Sequence, residues 1–593
     1  MRSKEHPDLA NRILAFAGAL CLVGFCFWVG LCVPENTGLI DSKTQTPPRI
    51  ASPGTSLETL SLVSGPRIAK SAGRYAVEWE TSRPTDALLT YGWADPFQHM
   101  VMEEEKRTQN HSVQLPNNPL MELHTFHVRS MDSSGNVVSA TIGGGTGQRG
   151  QIMSDISSRY PNISEDIDSS EKPLWADFDA DGDLDLVFTT STGPLFFAQS
   201  ARGFRKITAD ESVDISGKAM GWADVDRDGN LDLLCAGKSL AVYTNSGAPD
   251  FKFQEKIFAE QPPGAAEWKD AGFTELNGDG LPDIVARLPD DSLRYFANSR
   301  RSRPRYRPFR KAELPEKTDA TRPFAADFDG DRRAEIVTSQ LLGTTPSTHE
   351  ASSREKKSSP PRILRIDDFD NDGQLDLLVQ TGTKSGSVKF FKNTGSERFQ
   401  PVAQSGALSK INDEVTCCAT GDLTGNGYPD LVLNLKTIGP KIYFNAGDGN
   451  FIDATSLCDT PSPGKQAAAI TITDVTGDSA PDIYLLLQDK AALLLENRSP
   501  AARRREFMTV RIDTRRGAIG ATIRVRDAHA SAVVGNQQII GGCQPFQYSL
   551  GVGDHHQTVV EVLLSHGQTH TKRWIRGKSG NLLLFGDQIR HRR

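Results

Sequence analysis

Seven segments of this chain repeat one chemical pattern, and the repeat restricts the fold more than any bulk property does. They are DFDADGDLDLV from Asp177, DVDRDGNLDLL from Asp224, ELNGDGLPDIV from Glu275, DFDGDRRAEIV from Asp327, DFDNDGQLDLL from Asp368, DLTGNGYPDLV from Asp422 and DVTGDSAPDIY from Asp474. Oxygen-bearing side chains stand at the first, third, fifth and ninth places of every copy. That spacing suits a tight turn aiming several ligands at one hard cation, and the implied ion is calcium. It accepts about six to eight oxygens in flexible geometry, whereas magnesium demands a near-ideal octahedron and keeps waters. An EF-hand would need a bidentate acid at the twelfth place and flanking helices. The twelfth place is Phe188 in the first copy and Val379 in the fifth. The residues after the ninth-place acids (LVF, LLC, IVA, IVT, LLV, LVL and IYL) read as buried strands. Each copy is therefore expected to be a calcium loop between two strands.

The copies differ in the ligands they offer. The first, second and fifth present four aspartates each: Asp177, Asp179, Asp181 and Asp185; Asp224, Asp226, Asp228 and Asp232; Asp368, Asp370, Asp372 and Asp376. Backbone carbonyls of Asp183, Asn230 and Gln374 are the candidate fifth ligands, and a glycine such as Gly182 permits the sharp turn. The third copy uses Glu275, Asn277, Asp279 and Asp283, where the longer first acid shifts the site. The fourth keeps Asp327, Asp329, Asp331 and Glu335 but has Arg332 at the glycine place. The sixth has Asp422 and Asp430 beside the neutral Thr424 and Asn426, so lower affinity is expected. The seventh offers Asp474, Thr476, Asp478 and Asp482 with Ser479 at the glycine place. For the fourth and seventh, a turn that holds no ion is the competing expectation.

The starting acids are 47, 51, 52, 41, 54 and 52 residues apart, a period suited to one four-stranded propeller blade. After most loops comes an apolar strand and then an Asn or Gly turn ahead of an aromatic, as in AVYTNSGAPDFKF, VKFFKNTGSERF and KIYFNAGDGNF. On these residues the segment 165–500 resembles the FG-GAP and VCBS repeat family, whose integrin-like members form seven-bladed propellers with calcium loops on one face. Seven loops then imply seven blades. The fourth repeat is the shortest and contains THEASSREKKSSPP, a polar run unlike paired strands, so one degenerate blade is expected.

The segments on either side read differently. Residues 13–33 carry no charge, a length suited to crossing a bilayer as a transmembrane signal anchor. Arg2, Lys4 and Arg12 precede it, which places residues 1–12 in the cytoplasm and exports the rest. A cleaved signal peptide, giving a secreted protein, is the rival reading. Residues 34–58 are rich in Pro, Ser and Thr and read as a linker. Segment 60–144 alternates as strands do and resembles a fibronectin type III-like sandwich through Trp79 in VEWET, the strand TDALLTYG and the closing HVRSMDSSGNVVS.

Segment 503–588 resembles the small, β-rich ASPIC/UnbV domain through Gly517, Ile519, Gly520 and Ala521, then Gly541, Gly542, Tyr548, Leu550, Gly551, Gly553 and the strand VVEVLL. The combination with the repeats is similar to cartilage acidic protein-like bacterial secreted proteins. Its five histidines, His529, His555, His556, His566 and His570, show no HxH or HExxH spacing and are expected at exposed strand positions.

The fold class expected is thus all-β, with one N-terminal transmembrane helix ahead of it. Composition agrees: 52 glycines and 33 prolines in 593 residues favour turns and strands over long helices. A net charge of −7 argues against nucleic acid as a partner. Outside the apolar run stand Cys235, Cys417, Cys418, Cys458 and Cys543, with no CxxC pair to hold zinc; a Cys418 to Cys458 bridge and buried free thiols are both open. No GxSxG elbow or GxxxxGK[ST] loop is present, and the paired acids all belong to metal loops, so an enzyme is not expected. The functional expectation is calcium-dependent adhesion or recognition of a cell-surface or matrix protein or polysaccharide. The alternatives are a polysaccharide hydrolase or lyase using a propeller funnel, and a calcium-dependent envelope scaffold.

Overall fold

A computed structural model describes residues 59–71, 74–92, 99–115, 124–143, 150–160, 173–190, 193–200, 203–207, 215–247, 251–261, 264, 267–299, 304–308, 325–328, 335–336, 361–381, 387–395, 399–402, 405–447, 449–513, 518–529, 533–538, 547–552, 555–575 and 582–585. The expected membrane anchor and linker, Cys543, Asp329, Asp331 and most of the polar run in the fourth repeat lie outside these residues. Among those described, no helix is long and apolar enough to cross a membrane. Strands dominate, and the one α-helix described, Pro500–Arg503, is a single turn.

The acidic repeats build one sheet each. The first contains Leu174–Ala176, Asp185–Thr190, Gly193–Ala198 and Arg205–Ile207, each antiparallel to the next. The second, third, fifth and sixth sheets repeat this four-stranded order. In the fourth, only the pair Ala325–Ala326 and Glu335–Ile336 is described. The acidic loop always joins the first strand to the second, and the ninth-place acid opens the second strand.

Those second strands read as unbroken apolar runs because they are covered on both faces. Asp232–Ala236, Asp283–Arg287, Asp376–Gln380, Asp430–Leu435 and Asp482–Leu487 are buried at every position. A strand with one wet face would alternate instead.

The seventh sheet is completed from far upstream. Ala467–Thr473, Asp482–Leu487 and Ala492–Asn497 follow in sequence, but the fourth strand is Met153–Asp155, with Asn497 paired to Met153 and Leu495 to Asp155. Ser157 Oγ also accepts from Leu494 N at 2.9 Å. The sheet set therefore begins at Met153, before the start expected at 165. Three residues of strand with no acidic loop leave no repeat signal in the sequence.

Upstream, five strands between Leu62 and Gly143 form one sheet in which Arg74–Gly92 and His99–Gln114 are long enough to serve two groups. Their halves Ala76–Glu80 and Asn110–Gln114 pair with each other beside Leu62–Ser71, while Leu88–Gly92 pairs with Thr125–Met131, which in turn pairs with Val137–Gly143. Val77, Trp79, Leu89, Tyr91, Val113, Phe126 and Val128 form the core between the groups. Trp79 stacks on His111 and donates from Nε1 to Ser130 Oγ at 2.9 Å, so its polar edge is satisfied where it is buried.

Downstream, Phe507–Ile512 lies between Gln547–Gly551 and a parallel Leu582–Phe585. A second sheet orders Val533–Gln538, Thr522–Asp527, Gln557–Leu563 and Thr569–Ile575. The apolar side chains of these strands, among them Val510, Ile523, Val560 and Trp574, belong to one continuous core with the second and third repeat sheets. His529 and His556 are exposed as expected, but His555, His566 and His570 are half-buried, and His555 Nδ1 lies 2.7 Å from Asp527 Oδ2. Cys235, Cys417, Cys418 and Cys458 form no disulfide, so the Cys418 to Cys458 bridge is not made. Each of the last three reaches a backbone carbonyl instead.

Candidate metal centre

Each of the six described loops takes the left-handed region twice, at its fourth and sixth places. The fourth-place residues are Ala180, Arg227, Gly278, Asn371, Gly425 and Gly477, with φ between 57° and 78°; the sixth-place residues are Gly182, Gly229, Gly280, Gly373, Gly427 and Ser479. The sixth-place glycine follows from the sequence pattern. The fourth place was not singled out there, although Gly or Asn at four of the six positions carries the signal.

The ninth-place acids Asp185, Asp232, Asp283, Asp376, Asp430 and Asp482 are wholly buried. In every case one oxygen accepts from the backbone N–H of the second loop place and the other from the N–H of the Asn that closes the third strand or, in the first sheet, of Gln199 just after it. These distances are 2.7–3.1 Å. The carboxylate thus ties its own loop to its own third strand, a structural duty beyond the ligand role expected of it. Burial, reinforced by the neighbouring acids, pushes the Asp185 carboxyl up to about 9 and likewise Asp376 to about 9.

The closing residue of the third strand carries a second device that the sequence reading missed. Asn245 Nδ2 donates to Phe178 O, Asn298 to Val225 O, Asn393 to Phe328 O, Asn445 to Phe369 O and Asn497 to Leu423 O, at 2.8–3.3 Å. Each acceptor is the second loop residue of the preceding sheet. In the first sheet Gln199 takes this place, and its Nε2 donates to Val475 O of the seventh sheet at 2.8 Å. The Asn before the turn was visible in the sequence, but only as a turn residue.

The loops then divide into two kinds. In the first, second and fifth, three carboxylates converge: Asp177, Asp179 and Asp185; Asp224, Asp226 and Asp232; Asp368, Asp370 and Asp376 each bring one oxygen within 4.8 Å of the others. Three buried or half-buried acids at that spacing repel one another unless protonated or bridged by a cation, and carboxylate oxygens are the donors calcium favours. The fifth-place Asp181, Asp228 and Asp372 stand outside the triads, each accepting from the N–H of the seventh place, Asp183, Asn230 and Gln374.

In the third, sixth and seventh loops no such triad forms among the described residues. There the fourth place is glycine, and its N–H points at the first acid. Glu275 accepts from Asn277, Gly278 and Gly280; Asp422 from Gly425, Gly427 and Gly551; Asp474 from Gly477, Asp478 and Ser479. The second and fifth loops share part of this pattern, Asp224 accepting from Asp228 and Gly229 and Asp368 from Asp372 and Gly373, so what separates the two kinds is the third place, an acid in the triad loops and Asn277, Thr424 or Thr476 here. The remaining expected ligands are turned to local bonds or left idle. Asn277 accepts from Asp279 N, Asp279 from Leu281 N, Asp478 from Ala480 N and Asn426 from Tyr428 N, while the hydroxyls of Thr424 and Thr476 are buried without a hydrogen-bond partner. Asp283, Asp430 and Asp482 keep only the structural role given above. In the fourth loop Asp327 is half-buried and Glu335 opens its strand.

Among the described residues, protein cations pair with acids of the first and fifth triads. Arg511 Nη1 lies 3.2 Å from Asp177 Oδ2, and Lys392 pairs with Asp370 and lies 3.1 Å from Asp372. Burial still raises the Asp177 carboxyl to about 6, although Arg511 pulls it down.

A family model described as an FG-GAP-like repeat matches residues 177–235, 224–286, 275–338 and 368–433. Over these residues the chain carries FG-GAP-like repeats. Each match opens on a first-place acid and runs through the loop of the next repeat, so the FG-GAP unit spans the junction that the Asn side chains bridge. No curated protein matches the chain. Similar solved structures include a chain of the Photorhabdus luminescens Tc holotoxin pore, at 14% identity and a TM-score of 0.34 over 81% of this chain and 22% of that one. The chain thus spans under a quarter of that relative's length. BBS1N in complex with ARL6DN is similar at 10% identity and a TM-score of 0.32, over 55% of this chain and 90% of that one. The BP39L lectin from Burkholderia pseudomallei is similar at 12% identity and a TM-score of 0.29, over 69% and 98%.

Proposed function

We propose that this is an exported, membrane-tethered protein whose FG-GAP repeats close into a seven-bladed, calcium-stabilised propeller that binds a protein or polysaccharide at the cell surface. The observation that carries the calcium reading is the convergence of three carboxylates in each of the first, second and fifth loops. Ring closure is supported by Met153–Asp155 completing the seventh sheet and by the Gln199 bond to Val475. In this reading Asp177, Asp179 and Asp185 and the two equivalent triads hold the ions. Calcium supplies charge neutralisation and cross-links turns, and the ligand binds elsewhere on the propeller. The C-terminal sheets are read as an ASPIC/UnbV domain and the strands between Leu62 and Gly143 as a fibronectin-like spacer.

Calcium titration of the purified protein by calorimetry, with melts in excess calcium and in chelator, is the first test. About three ions and a higher melting temperature in calcium are expected, since a ligand bound only by the folded state stabilises it. No binding and identical melts would overturn the metal reading. Glycan-array or pull-down signal lost in chelator supports recognition; turnover of polysaccharide by the protein would replace it with a hydrolase or lyase.

A further inference from the structure

The C-terminal sheets lie against the acidic loops. A Cβ added at sixth-place Gly427 would fall 1.8 Å from Val534 O, at Gly280 2.9 Å from His566 Nδ1, and at Gly373 3.6 Å from Arg524 Nη2. Gly551 N donates to Asp422 Oδ2 at 2.9 Å. The most direct contact is Arg511, on Phe507–Ile512, which besides facing Asp177 donates from Nη2 to Gly182 O at 2.6 Å. Asp177 is therefore shared between two claims. Oδ2 faces the guanidinium, Oδ1 is buried with no hydrogen-bond partner, and the residue belongs to the triad with Asp179 and Asp185. A divalent cation held by that triad sits beside a positive charge that the C-terminal strand keeps in place, where limited solvent leaves their repulsion strong.

We propose that Arg511 couples cation binding in the first loop to the seating of the C-terminal strand Phe507–Ile512, each weakening the other. The inference rests on the calcium reading of the loops. Coupling between two binding events is reciprocal, so the factor by which Arg511 lowers calcium affinity is the factor by which calcium loosens the Arg511 contact. Lys392 acts on the fifth loop from within that loop's own sheet, so removing it takes away a cation that the strand Phe507–Ile512 does not carry.

The full-length chain is titrated with calcium as wild type, Arg511→Gln, Arg511→Lys and Lys392→Gln, and hydrogen exchange of residues 507–512 is followed with and without calcium. Arg511→Gln is expected to tighten one class of calcium site by about tenfold, with Arg511→Lys close to wild type. Calcium is expected to speed exchange at 507–512 in wild type and in Lys392→Gln. Should Arg511→Gln fail to fold, the exchange measurement on wild type decides. Unchanged or weakened calcium affinity in Arg511→Gln, or exchange at 507–512 that calcium leaves alone or slows, overturns the coupling. A wild type that binds no calcium fails the calcium reading itself.

Discussion

At the residue scale, the same place in the loop is filled by chemically different residues, and backbone conformation says which are at ease. Ser479 adopts φ 78° at a place where five other loops have glycine. A left-handed L-residue costs about 1–2 kcal/mol, partly offset by the extra freedom glycine gives the unfolded chain. Ser479→Gly is therefore expected to raise stability by about 0.5–1 kcal/mol, read as a higher denaturation midpoint with unchanged slope. A lower midpoint would mean that the Ser479 side chain holds the turn. Arg227, Ala180 and Asn371 meet the same constraint at the fourth place, and Asn371 Nδ2 donates from there to Gly427 O of the next sheet's loop at 3.0 Å.

At the scale of the elements, the junction between sheets depends on one buried amide. Asn445 Nδ2 donates to Phe369 O of the preceding sheet and to Pro429 O, and its Oδ1 accepts from Gly447 N. Asn445→Ala strands two carbonyls and an N–H in a wholly buried place, at about 1–3 kcal/mol for each group left unpaired, so a loss of about 3 kcal/mol is expected. Chemical denaturation of the variant checks it, and a loss below about 1 kcal/mol would show that water replaces the amide. The equivalent change in the first sheet, Gln199→Ala, removes the bond to the seventh sheet. It is expected to increase exchange in Met153–Asp155 and Ala492–Asn497 before any other pair, which hydrogen exchange resolves.

At the scale of the whole molecule, the buried acids of the loops tie stability to pH, and the proposed calcium sites would tie it to the cation as well. Burial raises Asp185 and Asp376 from 3.8 to about 9. Between those values the folded, cation-free protein holds protons on these two groups that the unfolded chain has released, so their contribution to stability is full below about pH 4 and is lost as pH rises toward about 9. In the calcium reading proposed above, the cation takes the place of those protons. The difference in melting temperature between calcium-loaded and calcium-stripped protein is therefore expected to widen from pH 5 to pH 8; a difference that stays constant or narrows would show that the triads do not hold the ion.

What the sequence by itself determined was local and periodic. The acids at places one, three, five and nine, the glycine between them and the apolar run that follows specify a loop opening onto a buried strand, because ligand spacing, φ and hydrophobic burial all act within about ten residues. Repetition at an even period then determined the sheet architecture. Only the tertiary structure decided which acids meet. The sequence offers four oxygen-bearing places in each loop, but the carboxylates that converge are those of places one, three and nine, with the fifth-place acid turned to a local bond, so the loops with Asn277, Thr424 or Thr476 at the third place form no triad among the described residues. It also decided what lies across a junction. The carbonyl that Asn445 reaches is 76 residues away, and the guanidinium on Asp177 is 334 residues away. Contacts of that separation are set by how the sheets stack, and no local pattern of residues encodes them.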